Sequence, residues 1–169
     1  EESTWGQKGI PMRNATTTTV APNGTTGIII GGTGGIEPIF AVAYTRRTAD
    51  DQILRFIHPL FEEVARREGF YSEELMDRVA RVGTVRGVDG VPEKWQKIFA
   101  SAHDIHWRDH IKMQAVLQQH VDNAISKTVN LPHSATVGDV KAAYTLAWKL
   151  GCKGITIFRD GSKQGILTT

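Results

Sequence analysis

Residues 123–158 read as strand, helix, strand. NAISKTVN at 123–130 has the β-branched content of a strand, and Leu131-Pro132 closes it. Thr136 and Asp139 are spaced as a capping box, with Asp where Glu or Gln is usual. The helix they open places Val140, Ala143, Tyr144, Ala147 and Trp148 on one face and runs to Leu150, where Gly151 stops it. KGITIF at 153–158 is a second strand. Strand, helix, strand in this order implies parallel strands joined by a right-handed crossover, so the fold class is α/β.

The rest of the chain supplies further elements. NATTTTV at 14–20 favours a strand, broken by the turn formers of Ala21-Pro22-Asn23-Gly24. A short apolar segment, 25–30, leads into the flexible GGTGG of 31–35. IEPIFAVAY at 36–44 reads as extended, with a strand starting after Pro38. Ile53, Phe56, Ile57, Leu60, Phe61 and Val64 recur at helical spacing and predict one helix, kinked at Pro59 and ended by Gly69. Ser72 caps a helix running to about Val82, Pro92 opens a short one through Phe99, and Asp104 is the expected cap of a helix from Trp107 to Val121.

The chain has 169 residues, the size of one domain, and is read as a single segment over 1–169. A net charge of +2, with Lys and Arg scattered, gives no field that points to nucleic acid or a membrane surface. No apolar run approaches the roughly 20 residues of a membrane-spanning helix. One cysteine, Cys152, excludes an internal disulfide and a CxxC pair and fits a reducing, cytoplasmic setting. Glu1 in place of a methionine suggests a piece of a longer polypeptide.

The richest chemical feature is APNGTTG at 21–27. If a helix starts there, its first N–H groups have no helical partner, glycine admits close approach, and the threonine hydroxyls add donors. Together these are the parts of a phosphate cradle. No GK[ST] follows, so it is not a P-loop, and GGTGG does not match GxGxxG. Glu37 is a further candidate, as a base or a partner for a sugar hydroxyl. His103, His106, His110 and His120 lack an HExxH frame and read as surface histidines rather than zinc ligands. Cys152 reads as a buried structural thiol. Lys127 and Arg159, near strand ends, are isolated cations that can meet an anion.

Three stretches carry a family resemblance: NATTTTVAPNGTTGIIIGGTGGIEPIFAVAYTRR at 14–47, HIKMQAVLQQHVDNAISKTVNLP at 110–132, and AYTLAWKLGCKGITIFRDGSKQGIL at 143–167. In this order they resemble the C-terminal part of the catalytic barrel of adenosylcobalamin-dependent (class II) ribonucleotide reductases. The resemblance implies a ten-stranded α/β barrel, of which this chain is a part. It implies a ribonucleotide substrate, adenosylcobalamin as the radical source, and a thioredoxin-like reductant for the whole enzyme. It places the substrate phosphates on the loop of Pro22, Asn23, Gly24, Thr25 and Thr26, with Asn23 where the family usually has threonine.

The departures are as informative. The family's NPCGE-type loop, which carries the radical cysteine and the base, is absent, as are both reducing cysteines and the C-terminal CxxC. No residue of this chain is therefore assigned a catalytic role. The expected partner is the upstream part of the reductase that carries the radical cysteine. The alternative is a free-standing, non-catalytic nucleotide- or phosphate-binding module.

Overall fold

The computed structural model describes residues 4–30, 32–47 and 53–162. In chain order the elements are α1 (Thr4–Gln7), α2 (Gly24–Ile30), β1 (Ala43–Arg47), β2 (Ile53–Ile57), α3 (Pro59–Arg67), α4 (Glu73–Val82), α5 (Glu93–Ile98), α6 (Trp107–Gln118), β3 (Thr128–Leu131), α7 (Val137–Lys149) and β4 (Thr156–Arg159). They form two two-stranded sheets, β1-β2 and β3-β4. The chain divides into two compact units. The first comprises the described residues up to Ile36 with Arg108–Val129 and Thr136–Ile157. The second comprises those of Glu37–Trp107 with Asn130–Ala135 and the residues from Phe158 on.

In the second unit β1 and β2 are antiparallel, with Tyr44 opposite Phe56 and their rings stacked at 5.0 Å. This antiparallel pair lies outside the parallel strand, helix, strand unit expected over 123–158. The element Ile53–Ile57 departs from expectation, as it is a strand and not the first half of a helix. Pro59 is the reason. Its ring disfavours helical backbone at the preceding residue, and it has no N–H to give to an upstream carbonyl. His58 accordingly sits at φ −62, ψ 122, and Pro59 opens α3, the position in a helix where a missing N–H costs nothing. The split sorts the apolar residues: Phe61 and Val64 are buried, whereas Phe56 and Leu60 are exposed.

Ser72 caps α4 as expected, accepting the Leu75 N–H at 3.1 Å, and Gly83 at φ 78 ends it. α4 turns Leu75, Met76, Val79 and Ala80 inward. These residues join Val42, Phe61, Val85, Val91 and Trp95 in one core, with Phe99 edge-on to Phe61 at 5.2 Å. Asp104 is not the cap of α6. Its carboxylate instead accepts from the Thr84 hydroxyl (2.5 Å) and from the Ser101 N–H (2.7 Å) and hydroxyl (2.8 Å), tying the loop after α4 to the segment after α5.

In the first unit α6 buries His110, Ile111, Gln114, Ala115 and Gln118, and α7 buries Ala143 and Ala147. The capping box forms in both directions with Asp in place of Glu: Thr136 N–H donates to Asp139 at 2.8 Å, and Asp139 N–H to the Thr136 hydroxyl at 3.2 Å. Of the face predicted for α7, Tyr144 is 49% and Trp148 77% exposed. Between Asn14 and Val20 only Val20 makes a ladder contact, an isolated parallel bridge to Ile125, and β3 starts at Thr128 rather than Asn123.

A single carboxylate holds that threonine segment in place. Asp122 accepts from the Thr17 N–H (2.9 Å), the Thr17 hydroxyl (2.7 Å) and the Thr18 N–H (3.1 Å), while its own N–H donates to the Thr18 hydroxyl (2.9 Å). The Thr17 backbone and hydroxyl donors, then those of Thr18, hold its carboxyl down to about 2. A carboxylate with a folded pKa below its unfolded value, about 3.9, contributes fully above about pH 4. That contribution is lost as the pH falls towards 2. Asp122→Asn is expected to speed amide exchange at Thr17 and Thr18 at neutral pH. It should also abolish the loss of protection, relative to free-chain exchange, expected at these amides in the native chain between pH 4 and 2. Unchanged exchange at both amides would show that the segment is held by other contacts.

Candidate functional site

The 21–27 segment is delivered by this anchored stretch. Ser126 N–H donates to the Val20 carbonyl at 3.0 Å and Asn123 N–H to the Thr18 carbonyl at 3.1 Å, so the chain is fixed up to Val20. Asn23 then takes φ 51, the left-handed region that Asn enters more readily than most residues. That turn starts α2. The first bond of the helix runs from Gly27 N–H to the Asn23 carbonyl at 2.7 Å, so the amides of Gly24, Thr25 and Thr26 precede the ladder. Pro22, Asn23, Gly24, Thr25 and Thr26 are all exposed, and open space surrounds the Gly24 α-carbon. The five expected residues are thus brought together on one turn, with amides and two hydroxyls available to an anion.

The other candidates fare differently. Glu37 is half-buried and belongs to the second unit, whereas the loop belongs to the first. His110 is 2% exposed, which corrects its assignment to the surface. Its Nδ1 lies 2.8 Å from the Lys127 Nζ, also buried. The two side chains meet directly inside the unit. Lys127 donates in addition to the Thr128 carbonyl, so it is committed inside the unit rather than presented to a ligand. Arg159 donates to the His133 carbonyl at 2.7 Å. Cys152 is half-buried and burial pushes its thiol up, the opposite of an activated thiolate. Among the described residues no three His, Cys, Asp or Glu side chains gather as for a metal ion.

The match to known proteins decides the family. The ribonucleotide reductase barrel-domain model matches residues 6–158. The chain belongs to the ribonucleotide reductase barrel family. It is 48% identical over 161 residues to a vitamin B12-dependent ribonucleoside-diphosphate reductase of Thermoplasma acidophilum, covering 95% of this chain and 21% of that protein. It is equally identical over 155 residues to the enzyme of the same name from Mycobacterium tuberculosis, covering 92% and 22%. A vitamin B12-dependent ribonucleotide reductase of Streptomyces clavuligerus is 32% identical over 161 residues, covering 91% and 17%. The chain therefore spans about a fifth of the length of these relatives. Among solved structures it is similar to the alpha subunit of the class Id ribonucleotide reductase of Actinobacillus ureae, with a TM-score of 0.74 at 19% identity, over 91% of this chain and 28% of that one.

Within this reductase-barrel segment, side chains that pattern reading passed over do much of the positioning. Asp122 fixes the threonine segment that carries the loop. Gln114 and Gln118, one turn apart on α6, donate their amides to backbone carbonyls of the neighbouring segments. In the second unit a cavity of about 210 Å³ is lined by Phe40, Thr84, Ser101, His103 and His133, among others. It is smaller than the roughly 300 Å³ at which small-molecule pockets begin, so a corrin does not fit it. No helix among the described residues is long and apolar enough to cross a membrane.

Proposed function

We propose that this chain is the C-terminal part of the ten-stranded catalytic barrel of an adenosylcobalamin-dependent ribonucleotide reductase. It contributes the substrate-phosphate loop, Pro22 to Thr26, and a stretch of barrel wall. The observation that carries the proposal is the 48% identity to B12-dependent reductases over nearly the whole chain, loop included. Adenosylcobalamin, when bound to the complete enzyme, supplies the radical. No residue of this chain is assigned to it.

The chain's own role is binding. The amides of Gly24, Thr25 and Thr26 and the two threonine hydroxyls hold the nucleotide phosphates, which fixes where the ribose stands. In the adenosylcobalamin-dependent reductases that the chain resembles, a thiyl abstracts a ribose hydrogen and two further thiols give up the two electrons that remove the 2′ oxygen as water. One cysteine cannot fill those positions, so the reaction needs the upstream part of the polypeptide and, to restore its thiols, a thioredoxin-like protein. Surface character supports this incompleteness. Ile29, Ile30, Val137 and Trp148 are 73–87% exposed, and among the described residues each sheet has two strands, which is apolar surface and sheet edge suited to further protein.

Thr25→Val tests the loop within the full-length reductase. Loss of one hydroxyl to a charged acceptor is worth about 1.5 kcal/mol or more, so KM for the ribonucleotide is expected to rise about tenfold with kcat changed less. An unchanged KM would remove the loop from the substrate site. Calorimetry with nucleotide on this chain, alone and with the upstream part, separates the alternative. Binding by the chain alone, with nothing gained in the mixture, would make it a free-standing nucleotide-binding module.

A further inference from the structure

Of the GGTGG run, Gly34 and Gly35 lie directly behind the phosphate loop. A Cβ added at Gly34 would stand 2.6 Å from the Pro22 carbonyl oxygen and 3.4 Å from that of Asn23. One added at Gly35 would stand 2.9 Å from the Ala21 carbonyl oxygen, and Gly35 has φ +57, a backbone that side chains strain. A third glycine closes the contact from the helix side. Gly27 is buried, and its Cβ would meet the Gly32 carbonyl at 3.1 Å and the Gly34 N at 3.2 Å, while Gly32 N–H donates to the Gly27 carbonyl at 2.8 Å.

The atoms met are backbone, which cannot swing aside as a long side chain can. The loop is also pinned on both flanks, upstream by the Val20–Ile125 bridge and the Ser126 bond, downstream by the Gly27–Asn23 bond. A methyl group pushed between the two segments would therefore displace the piece in between, Ala21 to Thr26. Resting on the phosphate-loop reading, we infer that Gly34 and Gly35 are positioning residues for substrate. Backbone packed on backbone, with no side chain between, sets the position of the 24–26 amides against the nucleotide phosphates.

The test uses the full-length reductase carrying this segment, with Gly34→Ala and Gly35→Ala. Both are expected to raise KM for the ribonucleotide about tenfold or more, as displacements of an ångström do, with a smaller change in kcat. The inhibition constant of tripolyphosphate, a probe of the phosphate site alone, should rise in the same proportion. A purely structural role would lower the active fraction, and so kcat, and leave both constants unmoved; that result overturns the inference. In the native enzyme, nucleotide binding should slow amide exchange over 32–35 together with 23–26, a readout that needs no variant to fold. Slowing at 23–26 without slowing at 32–35 overturns the inference as well. If Thr25→Val raises KM and the glycine variants do not, the loop stands and its glycine support falls. If none of the three moves KM or the tripolyphosphate constant, the phosphate-loop reading itself falls.

Discussion

Phe61→Ala is expected to cost the second unit about 3–5 kcal/mol, the usual range for truncating a fully buried phenylalanine. Phe61 has no exposed surface and packs against two further phenylalanine rings. Phe99, after α5, meets it edge-on at 5.2 Å, and Phe70, after α3, is tilted against it at 6.2 Å. Phe99 also reaches Trp95 at 6.1 Å, so the cavity left by the ring opens onto the aromatic group that joins α3 to α5. A cost of this size is a large part of the 5–15 kcal/mol by which a whole domain is normally stable. Urea unfolding followed by amide exchange at Leu75–Ala80 measures it, and those amides should lose most of their protection. Leu60→Ala is the neighbouring control. Leu60 is 59% exposed, and its truncation should leave the same amides within about 0.5 kcal/mol of native. Equal effects at the two positions would show that 53–64 is the single helix that its spacing predicts.

That pair of variants also marks where the sequence is legible and where it is not. Signals that act within one turn are read correctly from residue types. Ser72, the Thr136–Asp139 box, Gly83 and Gly151 all end or begin helices where their chemistry demands. The apolar spacing over 53–64 misleads because two short elements, meeting at a proline, happen to continue one period. Pro59 itself carries the correction, since a proline is better placed as the first residue of a helix than as its kink. The loop at 21–27 is legible because its turn is local: Asn23 and Gly24 are the residues that a left-handed turn into a helix asks for. What holds the loop is not legible. Asp122 lies 105 residues from Thr17, and an aspartate before an asparagine gives no sign that it will accept from a threonine segment. The glycines of 31–35 read as flexible, whereas at 34 and 35 they are small because another backbone lies against them.

The second large effect concerns polar residues that a helical pattern assigns to solvent. Gln114 and Gln118 are 0% and 7% exposed. Gln118 Nε2 donates to the Val121 carbonyl (2.9 Å) and the Asn123 carbonyl (2.8 Å), and its Oε1 accepts the Lys153 N–H (3.3 Å). One side chain thus closes the turn after α6 and ties it to the approach to β4. Gln114 Nε2 donates to the Gly154 carbonyl at 2.6 Å and, at 3.5 Å, to that of Ile125, but its buried Oε1 has no hydrogen-bond partner among the described residues. Substitution by leucine keeps the size and removes the amide, and the balance differs at the two sites. At 118 three backbone groups lose a partner, each worth about 1 kcal/mol as a bond and more if left buried and unmet. At 114 one strong bond is lost, but an unpaired buried oxygen is removed with it, which offsets part of the cost. Gln118→Leu is therefore expected to destabilise the first unit by about 3 kcal/mol and Gln114→Leu by about 1 kcal/mol or less, measured as shifts in urea midpoint at constant slope. The reverse order would mean that Gln114 carries more of the contact to Gly154 than one bond can account for. It would also mean that the turn at 121–123 is held by Asp122 and the threonine segment, without help from α6.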